Sequence, residues 1–252
     1  MSNPLIVSPK TCQGVSWFPP VDVSFAAHKA LIPLHAGELA KAAATMPLAA
    51  TPLGRSWQLV GVCSLMPDHN LFVKEGQWLG HYRPQWLSTY PFSLIRMRER
   101  GVLIFEQDSG LWEASDSGTP FFNDQALHPK VTEILEVLKA SSGPQQATEK
   151  ALIALQRAGV LIPWPEQLRA AVGVSVPNLY MVDELALSQL AEEVFLTLRT
   201  AQALPIAYAL NLSLPQTHLL SRLARVNPGS FTAPENLDSL FEGDEDVSFN
   251  FD

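Results

Sequence analysis

Residues 81–92, HYRPQWLSTYPF, gather three Tyr or Trp rings, a phenylalanine, an arginine and a histidine into twelve positions. A guanidinium beside aromatic faces stacks on flat ligands and pairs with anions. Tyr82, Trp86 and Tyr90 are spaced by four, so on a helix they share one face, with two hydroxyls and an indole N–H at its edge. Pro84 suits the first turn of such a helix and Pro91 ends it. The same stripe serves equally as core, its polar tips reaching buried backbone groups, and aromatic stripes at helical spacing are more often core than ligand boxes. The candidate binding residues are Asn70, Trp78, His81, Tyr82, Arg83, Trp86 and Tyr90, with packing as the rival account of the rings.

No catalytic residues are assigned. The six histidines, at 28, 35, 69, 81, 128 and 218, form no HxH and no i, i+4 pair. Zinc or non-haem iron needs three convergent ligands, so neither a metal nor a cofactor is expected. Asp68 and His69 are adjacent, and neighbours in an extended segment point to opposite faces, so Pro67–Asn70 reads as a turn and not a dyad. No GxSxG, P-loop, GxGxxG, HExxH or CxxC occurs. Cys63 stands in an apolar run, where a thiol is buried and inert.

The elements that must hold these residues are legible from periodicity. Residues 30–34 read as extended, residues 35–46 as a short alanine-rich helix ending before Pro47, and residues 57–65 as a central strand apolar on both faces. Residues 70–73 and 101–106 are further strand candidates, and 115–124 is turn chemistry. From Leu127 the period becomes helical. Val131, Ile134, Leu135 and Leu138 share a stripe, a break is expected at Ser141–Pro144, and a second helix runs from a Thr148 cap to Gly159. Asp183 caps a third helix carrying Leu187, Leu190, Val194 and Leu198, and Pro205 and Pro215 divide two more pieces. The fold class is α+β: a sheet-rich N-terminal half packed with a helical C-terminal half on one core, followed by an acidic disordered C-terminal tail. Residues 1–20 form an extended arm, 21–226 a single domain and 227–252 an acidic flexible tail.

Composition bounds the function. Of 252 residues, 47% are apolar and 17% charged, which is globular. No apolar run is long enough to span a bilayer as a helix. The N-terminus has neither a cationic start nor an apolar stretch, so the expected location is the cytoplasm, with the cell surface as the alternative if a C-terminal signal directs export. Two cysteines give no disulfide framework. Seven of the 25 acids stand at or after Glu235 with no Lys or Arg among them, which leaves 18 acids against 17 bases before it. A near-neutral body without a basic stripe argues against nucleic acid.

Beyond these patterns, Asn70-Leu71-Phe72-Val73, then Gly76 and Trp78, Tyr82 and Pro84, and Tyr90-Pro91-Phe92 resemble the signature block of the bacterial SapC family. The resemblance extends to Phe25-Ala26, Pro33-Leu34, Glu38 and Pro47, to residues 120–124, to Thr148, Leu155, Gly159, Leu161 and Trp164, and to residues 180–190 and 204–214. Family members usually carry arginine just before the Tyr-Pro-Phe, where this chain has Ser88-Thr89. The resemblance implies an association with a bacterial surface layer, a paracrystalline protein coat, and supplies no catalytic residues; the like-named peptide-transporter permease is a different protein.

The tail carries its own chemistry. Asp244, Glu245 and Asp246 precede Phe249 and Phe251, and such a peptide docks on a partner by filling a pocket with rings while the acids steer it toward basic residues. The expected function is therefore non-catalytic binding of a protein partner, through the tail. The alternative is an enzyme or enzyme accessory with a small-molecule site around residues 70–92.

Overall fold

The computed structural model describes residues 4–97, 100–115 and 117–226. The chain enters through β1 (Pro4–Ile6) and β2 (Ser16–Trp17), then β3 (Leu31–Leu34) and the short helix α1 (Leu39–Ala43). A hairpin of β4 (Leu48–Leu53) and β5 (Ser56–Val62) follows, then the small ribbon β6 (Val73–Lys74) and β7 (Gln77–Trp78). One turn of helix, α2 (Trp86–Thr89), leads into the hairpin β8 (Phe92–Met97) and β9 (Arg100–Glu106). Four two-residue strands come next: β10 (Trp112–Glu113), β11 (Thr119–Pro120), β12 (Phe122–Asn123) and β13 (Ala126–Leu127). The rest is mainly helical: α3 (Pro129–Arg157), α4 (Glu166–Val172), α5 (Glu184–Ser188), α6 (Glu192–Thr200), α7 (Ala203–Leu212) and α8 (Thr217–Val226), with β14 (Leu161–Pro163) and β15 (Tyr180–Val182) between them. The architecture is mixed α+β, with sheets mostly in the N-terminal half and helices concentrated after residue 129.

The principal sheet has five antiparallel strands in the order β14-β15-β4-β5-β3. β5 is interior, as its two-sided apolar pattern implies: Leu59, Val60 and Val62 are all buried. Gly61 is required there because a Cβ would lie 2.5 Å from Met46 Sδ, itself fully buried. α3 and α7 pack against this sheet.

The core divides in two, where a single one was expected. The larger cluster joins the five-stranded sheet to the C-terminal half of α3 and the later helices. The smaller gathers Trp17, Phe92, Leu103, Phe105, Phe121, Val131 and Leu138. Phe105 packs edge-on against Phe92 and Phe121, at centroid distances of 5.1 and 5.2 Å. From β1 the chain passes through turns at residues 9–14 to β2, and both strands are woven into the fold: β1 pairs with β9, β2 with both β10 and β11.

α3 bridges the two cores, and here the expected break is corrected. Residues 141–144 do not end a helix; Pro144 lies inside one continuous helix of 29 residues. A proline in a helix interior costs about 3 kcal/mol. Against that, Val131 and Leu138 are buried in one core and Leu152 and Leu155 in the other, each contributing roughly 1.5–3 kcal/mol. Tertiary burial wins. Thr148 is consequently not a cap. Its hydroxyl donates to Pro144 O and accepts from Ala36 N–H, both at 2.7 Å. His128 caps the helix, its Nδ1 accepting from Lys130 N–H at 3.3 Å, and Pro129 occupies the first position.

Elsewhere, Asp183 does cap a helix, with Oδ1 accepting from Ala186 N–H at 3.0 Å. That helix stops at Ser188, and Val194 and Leu198 belong to the separate α6. Pro205 lies in the first turn of α7 and does not divide two pieces. Of residues 70–73, only Val73 is in a strand, because Asn70 closes a turn.

Candidate functional site

The segment 81–92 is not one helix from Tyr82 to Tyr90. Only Trp86–Thr89 is helical, and the Tyr90–Pro91 peptide is cis. The rings therefore leave the single face that spacing by four implied. Tyr90 stacks on Phe25 with centroids 4.3 Å apart, and Trp86 lies tilted against both. Trp78 stacks on Phe72 at 5.0 Å, and its indole N–H donates to Tyr82 O at 2.8 Å.

Asn70 is fully buried and works for the backbone: Nδ2 donates to Ala26 O at 3.1 Å, and Oδ1 accepts from Phe72 N–H at 3.0 Å. It ties the ribbon of β6 and β7 to the turn at residues 24–26. His81 and Arg83 are exposed. The residues singled out by sequence thus divide into packed and surface groups, and Asn70, His81 and Arg83 do not converge.

What does converge is a pair that the sequence reading left out of the site. Glu38, 4% exposed, takes hydrogen bonds on Oε1 from Tyr82 O–H and from Gln85 N–H, both at 2.8 Å. Its Oε2 accepts from His35 N–H at 3.1 Å and lies 3.5 Å from His35 Nε2. His35 Nδ1 accepts from Gly37 N–H at 3.1 Å, which places the ring hydrogen on Nε2, 3.3 Å from Gln85 Oε1. The local reason is a capping box with histidine in the place of serine or threonine. That is also the overlooked signal: His-x-x-Glu opening an alanine-rich helix.

Two concavities flank residues 81–92. On one side a cleft of about 620 Å3 has His35, Glu38 and Gln85 at its base and Trp57, Trp86 and Glu149 among its walls. On the other a groove of about 760 Å3 is lined by Trp17, Phe25, Trp78, Arg83 and Tyr90, among others. α2 is the partition, with Trp86 and Thr89 toward the cleft and Leu87 and Ser88 toward the groove.

A family model for SapC matches residues 8–220. The chain belongs to the SapC family. No curated protein and no solved structure matches it. In this SapC chain the signature block is thus an assembly of ribbon, partition and hydrogen-bond relay, with Trp78 and Tyr82 linking Phe72 to Glu38.

The remaining titratable groups are accounted for locally. Burial pushes the Cys63 thiol far above its ordinary value, as an inert cysteine requires, and Cys12 is buried too. Burial, and then the neighbouring charge of His28, hold His69 below the usual imidazole range. Asp68 is exposed in a left-handed turn conformation, φ 58°, and its carbonyl lies 3.1 Å from His28 Nδ1. Among the described residues no group of three or more His, Cys, Asp or Glu side chains is placed to hold a metal ion, and no helix is long and apolar enough to cross a membrane. The tail residues Asp244, Glu245, Asp246, Phe249 and Phe251 lie outside the described residues.

Tyr82 and Tyr90 give a pH prediction. Burial, followed by the charges of Glu106 and Asp108, pushes the Tyr90 phenol from 10.0 up to about 12. Burial, followed by the hydrogen bond to Glu38 and its charge, raises Tyr82 as well. A phenol raised in the folded state leaves stability intact below the unfolded value near 10.0, and stability is lost as pH climbs through the folded value. Stability should therefore hold up to about pH 10 and fall between about 10 and 12. An ultraviolet titration should show Tyr82 and Tyr90 ionising late, together with unfolding. Both ionising near their ordinary value with the fold intact would contradict this assignment.

Proposed function

We propose that this SapC chain acts by binding a protein partner and not by catalysis, and that the surfaces flanking residues 81–92 receive the bound groups. The observation that supports this reading is the commitment of the cleft's polar atoms. Three of the roughly four acceptor sites of the buried Glu38 carboxylate are taken by hydrogen bonds from the fold, and Tyr82 spends its proton on Glu38. A general base or nucleophile needs an uncommitted lone pair within reach of substrate. Among the described residues lining the two concavities Arg83 is a cation with neither a hydrogen bond nor an ion pair, and a guanidinium that is always charged is a recognition group, not a base. A coat protein, the partner class implied by the family resemblance, fits this reading, with the acidic and aromatic residues 235–252 supplying the reaching element.

The enzyme alternative has one observation in its favour: His35 Nε2 meets Gln85 and Glu38 only at 3.3 and 3.5 Å, at the base of a cleft. The two readings separate in one experiment. Tagged wild-type chain, Arg83→Glu, the pair Phe249→Ala with Phe251→Ala, and His35→Gln are used as baits in extract of the native host. A defined partner retained by wild type and by His35→Gln, but lost at least tenfold from the other two, is the expected result. Retention by all four baits would overturn the binding assignment, and a turnover abolished by His35→Gln would overturn the non-catalytic one.

A further inference from the structure

The groove that holds Arg83 shares one ribbon with Val226, the last described residue. α8 ends at Val226, whose carbonyl accepts from Lys74 Nζ at 3.3 Å. Lys74 is on β6, paired with Gln77 of β7, and the same ribbon supplies Gly76, Gln77 and Trp78 to the groove wall. Val226 is therefore held to the ribbon that walls the groove. Extended, residues 227–252 reach on the order of 80 Å at roughly 3.3 Å per residue, so length is no obstacle.

The chemistry of the two parts matches. Among the described residues Arg83 has neither a hydrogen bond nor an ion pair. The walls around it are the Phe25–Tyr90 stack, half-buried Trp78 and fully exposed Val21. Trp17, buried beneath, has an indole N–H without a partner. The groove's acid, Asp22, is held by its own turn, with Oδ1 accepting from Ser24 N–H at 2.8 Å. The segment from Glu235 onward has seven acids, no cation and three phenylalanines, at 241, 249 and 251. Rings seated on aromatic walls supply affinity, while acids near Arg83 set orientation and speed of encounter.

We infer that the occupant of this groove is the chain's own C-terminal segment, with Phe249 and Phe251 on the aromatic walls and the acids beside Arg83. The inference rests on the binding role of the groove and goes beyond it: a partner takes up the tail's phenylalanines and Arg83 together, releasing one from the other, so loss of either weakens the partner. Tethering sets an effective concentration on the order of millimolar, so even a weak peptide occupies the groove in the free protein.

The test uses the full chain. Asn250→Cys takes a nitroxide selectively, because Cys12 and Cys63 are buried. With the label oxidised, the Trp78 indole N–H resonance should lose at least half its intensity relative to the reduced control. The loss should be unchanged on tenfold dilution and absent in Arg83→Glu and in Phe249→Ala with Phe251→Ala. A loss that fades on dilution would seat the tail in a second copy and overturn the inference. With no loss at all the inference also fails, and a synthetic peptide of residues 235–252 then decides the groove itself. A peptide that shifts Trp78 in wild type but not in Arg83→Glu keeps the groove as a binding surface, and a silent peptide removes it.

Discussion

Glu38→Ala is expected to destabilise the protein by about 3–5 kcal/mol, the range for breaking a buried charged network by removing one partner. Three donors lose their acceptor at once: Tyr82 O–H, Gln85 N–H and His35 N–H. Each buried donor left unpaired costs about 1–3 kcal/mol, and relaxation toward the adjacent cleft recovers part of the sum. Glu38→Gln keeps one acceptor oxygen for Tyr82 and Gln85 and should cost roughly half as much, losing chiefly the His35 N–H bond. Since domains are stable by only about 5–15 kcal/mol, the alanine variant should still fold at low temperature with its urea midpoint shifted and its denaturant slope unchanged. Hydrogen exchange at Gln85 should accelerate with it. An alanine variant within about 1 kcal/mol of wild type would mean that water already serves these donors, and that the network does not hold residues 81–92 in place.

Much of the fold is legible because it is local. β5 betrays itself by apolar residues on both faces, and the capping Asp183 and terminating Gly159 mark helix ends by their own chemistry. Local chemistry misleads at Pro144, where the sequence carries a strong breaker and the fold overrides it by burying both halves of α3 in different cores. No pattern in residues 127–159 shows that two cores exist, because each half of the stripe looks the same from within.

The site divides along the same line. Spacing by four put Tyr82, Trp86 and Tyr90 on one helical face, but the helix is a single turn, and Tyr82 instead reaches across the chain to Glu38. A contact between residues 38 and 82 leaves no periodic trace in either segment. The packing account suits Tyr90, which is buried against Phe25, while Trp86 is half-buried and also walls the cleft. Arg83 lines the groove together with Phe25, Trp78 and Tyr90, rings that spacing within residues 81–92 alone does not bring to it.

Asn70 shows how a polar residue in a signature block can be wholly structural, and its replacement is the second large effect expected. Asn70→Leu conserves shape and approximate volume and removes both hydrogen bonds. Phe72 N–H loses its acceptor and Ala26 O loses a donor, in a region where Asn70, Phe72 and Ala26 are each fully buried. Two buried backbone groups at about 1–3 kcal/mol each give roughly 2–6 kcal/mol, offset in small part by the apolar surface that leucine buries. Asn70→Asp should do nearly as much damage by a different route, because it keeps the acceptor for Phe72 but sets a carboxylate oxygen against the Ala26 carbonyl. The consequence reaches function through geometry. Ala26 borders the turn that carries Phe25, and Phe72 supports Trp78, so both walls of the Arg83 groove hang from this one amide. Under the groove reading, a folded Asn70→Leu protein that also lacks its tail phenylalanines should, at low temperature, bind the 235–252 peptide at least tenfold more weakly than a chain lacking only the phenylalanines. Full stability with unchanged peptide binding would show that Asn70 is dispensable to the ribbon and that its place in the block has another cause.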